Sequence, residues 1–230
     1  MKKSVLVALA VAPLALLPRV AASPSGLNNI PTADTAPHLT LVLQEYSTFG
    51  AQRPPDHTAG FKFGIDPWKQ SERKNRFETG YDGHFAPGTA GPGVFQVKYT
   101  TQPRAELPAL SIGFANIAVD SGDRARVGQP FAYAVLSHEL GFLRVHGGYG
   151  LQARGNDTLL LGVDRTFKLL DRDLVLRADA VQTDRQHNWA ASVGGLYAIC
   201  KYFVLESWVT EPIHRSPPAF TVKLDVVIPF

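Results

Sequence analysis

The chain has almost no cysteine. Among its 230 residues only Cys200 carries a thiol, so no internal disulfide staples the fold, and Cys200 reads as a small packing residue. Helix signals are nearly as scarce. Beyond the amino-terminal stretch, no apolar run reaches the ~20 residues a membrane helix needs. The glycine-rich pieces Gly147-Gly148-Tyr149-Gly150 and Gly194-Gly195 lack the following Lys-Ser/Thr of a phosphate loop. The 7 histidines are scattered, with no pair at a ligand-like spacing on a strand or helix. His84 with Asp82 comes closest and reads as a solvated pair. Neither metal nor cofactor is therefore expected. No basic run suggests a nucleic-acid partner either.

What is present begins with an export address. Lys2 and Lys3 form a basic start, an apolar centre follows to Leu17, and Val20-Ala21-Ala22 offers small residues for cleavage. Residues 1–22 read as a secretory signal peptide, with Ser23 as the mature start. The formal charge of +3 then disappears, because Lys2, Lys3 and Arg19 leave with the signal. Residues 23–37 are rich in Pro, Asn, Ser and Thr and show no apolar periodicity. They read as a periplasmic N-terminal arm, either an extended segment or a plug. Within it Gly26-Leu27-Asn28-Asn29-Ile30-Pro31-Thr32-Ala33-Asp34 looks specific without declaring a role.

Residues 38–230 form one unit of short β-like runs separated by Gly, Pro, Asn and Asp. The runs are 38–48, 60–65, 76–85, 94–101, 110–119, 130–137, 143–151, 158–166, 174–183, 189–199, 202–210 and 219–230. That is about twelve strands, or ten if weak runs merge. Most alternate apolar and polar residues, as Phe95-Gln96-Val97-Lys98-Tyr99 does. Side chains on a strand alternate faces, so one parity is apolar and the other polar. Tyr46, Phe85, Tyr99, Trp189, Tyr202 and Trp208 lie near run ends and suit interfacial girdles. Segments 49–59, 86–93, 120–129, 152–157, 184–188 and 211–218 read as loops.

The last run states the pattern best. Phe220, Val222, Leu224, Val226, Ile228 and Phe230 share the apolar parity, while Thr221, Lys223 and Asp225 share the polar one. This strand resembles the final strand of Gram-negative outer-membrane β-barrels, which ends in Phe and serves as an assembly signal. Pro229 departs from the pattern and belongs at a fraying end, because it lacks an N–H for the ladder. The resemblance implies an all-β, antiparallel transmembrane barrel in the bacterial outer membrane. It also implies outer-membrane lipid and the barrel-assembly machinery as partners, with other envelope proteins or a homo-oligomer open. A soluble secreted β-sandwich is the alternative, since periodicity alone does not say which face meets water.

In a membrane barrel the polar parity lines the lumen. The lumen-lining candidates are Lys62, Glu78, Asp82, His84, Gln96, Lys98, Arg144, His146, Asp164, Arg177, Asp179, Glu206, Lys223 and Asp225. Their signs nearly balance. The leading expectation is a narrow passive channel for small polar solutes, without catalytic residues. A closed structural barrel serving as anchor or subunit of an envelope complex is second. An outer-membrane lipid hydrolase is third. Ser137-His138-Glu139 supplies hydrolase residue types, but adjacent strand residues point to opposite faces, so it reads as the approach to a turn.

Overall fold

The computed structural model describes residues 25–50, 53–67, 74–86, 89–118, 130–152, 157–182, 188–212 and 217–230. The expected signal peptide and the expected loop at 120–129 lie outside them. Twelve strands form: β1 (Thr40–Gly50), β2 (Arg53–Ile65), β3 (Lys74–Ala86), β4 (Thr89–Gln102), β5 (Ala109–Ala118), β6 (Phe131–Glu139), β7 (Arg144–Gln152), β8 (Thr158–Leu169), β9 (Arg172–Gln182), β10 (Trp189–Ala198), β11 (Phe203–Pro212) and β12 (Ala219–Pro229). Each pairs antiparallel with its sequence neighbours. β1 then pairs with β12, from Thr40 opposite Pro229 to Gly50 opposite Ala219, and closes the barrel. Closure leaves no unpaired sheet edge, which a strand in lipid requires. Pro229 ends its strand, and the Phe230 N–H reaches past it to the Leu39 carbonyl at 2.8 Å. Leu170 and Asp171, both at positive φ, make a two-residue turn between β8 and β9, as a primed hairpin turn demands.

The residue faces are inverted relative to a soluble protein. Phe114, Leu136, Val193, Leu205 and Phe220 point out and are exposed. Glu78, Asp82, Lys98, Arg177 and Glu206 point in and are buried. A soluble sandwich buries its apolar parity, so this arrangement removes that alternative. At the end that carries the short turns, the Arg165 guanidinium lies 4.7 Å from the centre of the Phe167 ring. A cation over an outward aromatic suits the membrane–water boundary.

Two expected loops are shorter than the composition suggests. β2 begins at Arg53 and β4 at Thr89, inside the segments 49–59 and 86–93. Their prolines and glycines are tolerated because the ladder is irregular there, shifting register between Thr48 and Gly50 and between Gly83 and Phe85. Tyr46 and Trp208 are corrected as well. Both are buried and inward, so they line the lumen instead of joining a girdle.

Candidate functional site in the barrel lumen

The arm at residues 25–37 lies inside the barrel and does not extend away from it. Its described part folds into a small hairpin. Gly26 bridges Pro31, the Leu27 N–H donates to the Ile30 carbonyl at 3.0 Å, and the Thr32 N–H donates to the Ser25 carbonyl at 3.3 Å. Leu27, Asn28, Ile30, Pro31, Thr32, Ala33 and Ala36 are buried. The segment enters from the end where β1 starts and β12 stops. There Leu39 takes φ 48° and its N–H donates to the Gly64 carbonyl at 2.9 Å. A backbone exposed in a tight lumen must find partners for its polar groups. The inward parity supplies them.

Glu78 on β3 accepts from the Ser25 N–H at 2.8 Å, the Ser25 hydroxyl at 2.6 Å and the Ala36 N–H at 2.7 Å. Lys98 on β4 sits 3.7 Å from Glu78 and donates to the Ser25 carbonyl at 2.7 Å, and also to the carbonyls of Thr32 and Asp34. Arg144 on β7 holds Asp34 with two bonds of 2.7 and 2.8 Å and also grips Asp164 on β8. Burial works against the Asp34 charge, but the Arg144 guanidinium outweighs it and holds the carboxyl below its ordinary value.

The turn of the hairpin is bound from β9, β10 and β11. Asp179 accepts from the Asn28 and Asn29 N–H groups at 2.8 and 3.0 Å. Arg177 donates to the Asn28 side-chain oxygen at 2.9 Å and pairs with Glu206. The Asn29 amide donates to Ser192 and, at 3.0 Å, to Thr210. Between these polar anchors Leu27 and Ile30 pack against Ala115, Tyr133, Val135 and Leu160. Gly162 on β8 makes room for them, since a Cβ there would come within 2.9 Å of the Ile30 Cδ1.

The other lumen residues expected from the sequence form a second group. Lys223 bonds to Glu206 and Asp225, each at 3.0 Å. Asp82 accepts from Gln44 and weakly from Gln96, and His84 meets Thr58 at 3.0 Å. Lys62 is buried on β2. A cavity of about 290 Å³ separates this group from the hairpin, bounded by Gln44, Tyr46, Lys62, Arg177, Trp208, Lys223 and Asp225.

Sequence reasoning missed one constellation. Ser137 is inward on β6 and not in a turn, and its partner is His146 directly across on β7. The Ser137 hydroxyl lies 2.7 Å from His146 Nδ1, and His146 Nε2 lies 3.4 Å from Asp164. Ser, His and Asp in a row suggest nucleophilic catalysis. Two observations argue against it here. The Ala33 N–H of the hairpin donates to the Ser137 oxygen at 2.9 Å, and Arg144 binds the Asp164 carboxylate through two nitrogens. The array is a docking surface for Ala33 and Asp34. Strand pairing brings it together, and no spacing in the chain announces it.

No family model matches the sequence, and no curated protein is similar to it. Solved structures are similar in fold. The KdgM porin has a TM-score of 0.53 at 11% identity, over 81% of this chain and 98% of that one. Salmonella typhi outer-membrane phospholipase, solved as a dimer with bound calcium, gives 0.54 at 12%, over 82% and 90%. Escherichia coli outer-membrane phospholipase A gives 0.53 at 12%, over 84% and 93%. The chain has the fold of an outer-membrane β-barrel. At such identities the likeness carries the fold alone.

Proposed function

We propose that the protein is an outer-membrane channel for small polar solutes that rests closed, plugged by its own amino-terminal hairpin. One observation carries this reading: residues 25–36 occupy the lumen on a specific seat of charges, amides and an apolar pocket. A barrel needed only as an anchor has no need of such a seat. Solutes pass along the β12–β1–β2 side when the hairpin shifts, past a lining of both charge signs that sets selectivity. Bilayer lipid meets the outward apolar belt, and the last strand to Phe230 acts as the assembly signal.

Planar-bilayer conductance tests the reading, with folding checked by heat-dependent gel mobility. Full-length mature protein is expected to be nearly silent, and a variant lacking residues 25–36 to show steady discrete steps. A folded, inserted deletion variant without conductance favours the closed structural barrel. That second reading has its own support in the Arg177–Glu206–Lys223–Asp225 cluster, whose ion pairs brace the lumen wall beside the hairpin. The hydrolase reading is weakest, for the reasons given by Ser137 and Asp164.

A further inference from the structure

We infer that the outward face of β1 and β2 is the contact surface between two copies of this chain in the membrane, closed by Glu45 and His57. The inference goes beyond the channel reading and does not depend on what the lumen passes. Tyr46 and Lys62 face the lumen, so Glu45, Ser47, His57 and Ala59 face out on the alternating parity. Their surroundings are the apolar belt. Glu45 is the central residue of β1. Exposed Leu43 and Phe49 flank it on its own face, exposed Leu224 stands directly across from it on β12, and exposed Phe220 stands across from Phe49. Glu45 therefore meets lipid within the belt and not at its edge. A charge on the lipid face weakens a barrel, and an ionisable side chain inside the membrane marks a functional contact whose partner has to be found.

The group is only half satisfied within one chain. The Ser47 hydroxyl lies 3.0 Å from Glu45 Oε1 and 2.7 Å from His57 Nδ1, and those two atoms are 3.8 Å apart. Every contact uses the same carboxylate oxygen and the same ring nitrogen. Among the described residues, Glu45 Oε2 and His57 Nε2 have no partner, and the side chains are 57% and 45% exposed. A nucleophile triad would place the acid on the far ring nitrogen, so the order here does not fit catalysis. It fits a second copy. Both copies of a barrel insert in one direction, so their two-fold axis runs along the membrane normal, and a two-fold contact is reciprocal. His57 Nε2–H of each copy then donates to Glu45 Oε2 of the other. Atoms 3.8 Å apart in one copy differ by no more than that in depth, so both bonds form at one level. An acid and a base side by side are self-complementary, which an acyl chain cannot match. Ala59 stands opposite Glu45 and Gly83 opposite Ala59, and small residues let two backbones approach closely.

The test is light scattering of the detergent-folded mature protein, with energy transfer between differently labelled copies in phospholipid vesicles. Dimers are expected. Glu45→Lys and His57→Glu should each weaken the dimer at least tenfold, because two bases or two acids then meet at both contacts. An equimolar mixture of the two variants should restore it, since an acid again faces a base at each contact. Ala59→Leu leaves both charges in place, adds bulk that lipid tolerates, and should also separate the copies. Heat-dependent gel mobility shows that each variant has folded. Wild-type monomers in both detergent and vesicles, folded variants that pair as tightly as wild type, or a folded mixture that stays monomeric overturns the contact.

Discussion

Replacing Ile30 by alanine tests whether the hairpin is a gate. Ile30 is fully buried in the lumen, packed with Leu27, Ala115, Tyr133, Val135 and Leu160. Yet it belongs to the arm, and no strand pairing depends on it. The cost of the truncation therefore falls on the seated state and spares the barrel. Ile→Ala in a packed site costs about 2–5 kcal/mol. At ~1.4 kcal/mol per tenfold, the unseated population rises about 30-fold or more. Contacts that an unseated hairpin keeps reduce both figures. The assay is the open fraction in planar bilayers, paired with protease cleavage of the hairpin in intact barrels. Both should rise together while heat-dependent gel mobility stays fixed. A correctly folded Ile30→Ala protein with unchanged closure and unchanged cleavage refutes the reasoning, because the apolar seat would then contribute nothing.

Gly162→Leu should act from the other side of the same contact. Its Cβ alone would crowd Ile30, so the folded barrel should show raised hairpin cleavage and raised conductance. Acid should release the arm only at low pH. Asp34 is held below its ordinary carboxylate value by Arg144. Its contribution to seating is thus complete above pH ~4, the unperturbed aspartate value, and is lost as pH falls through the lowered one. The difference in hairpin cleavage between the wild-type protein and Asp34→Asn should be constant from pH 8 to 5 and shrink below about 4; a shrinkage near pH 6 would contradict the assignment. Finally, a fluorophosphonate probe should leave Ser137 unlabelled in the intact protein, and labelling there would revive the hydrolase.

Much of the barrel can be read from residue order because a strand's period is two and each strand supports it independently. Lys98 between Val97 and Tyr99, or Lys223 between Val222 and Leu224, announces its face locally. Lys62, Glu78, Asp82, Gln96, Lys98, His146, Asp164, Arg177, Asp179, Glu206, Lys223 and Asp225 are all buried on the inward side, with His84 and Arg144 partly buried beside them. Aromatic residues are harder to place. Tyr46 and Trp208 occupy inward positions, but their size and apolar bodies resemble those of outward residues. The arm is harder still. Leu27, Asn28, Asn29 and Ile30 have no period to read, because each meets a different strand. Ser137 with His146, and His146 with Asp164, join only through the registers of β6–β7 and β7–β8.

On the channel reading proposed above, the chemistry of the seat would make the plug both firm and removable. An intramolecular hydrogen bond exchanged for one to water is worth about 0.5–1.5 kcal/mol net, whereas a buried partner left unsatisfied costs about 1–3. Partial withdrawal of the hairpin would strand Glu78, Lys98 and Asp179 in a space too tight for full hydration, so intermediate positions are penalised. Complete withdrawal lets water refill the lumen and recovers most of that loss. The seat therefore favours two positions over a continuum. The apolar pair Leu27 and Ile30 adds a bias toward closure that water cannot replace, because neither gains a partner on leaving. On that reading the charges would set where the hairpin stops, and the two apolar side chains how often it stays.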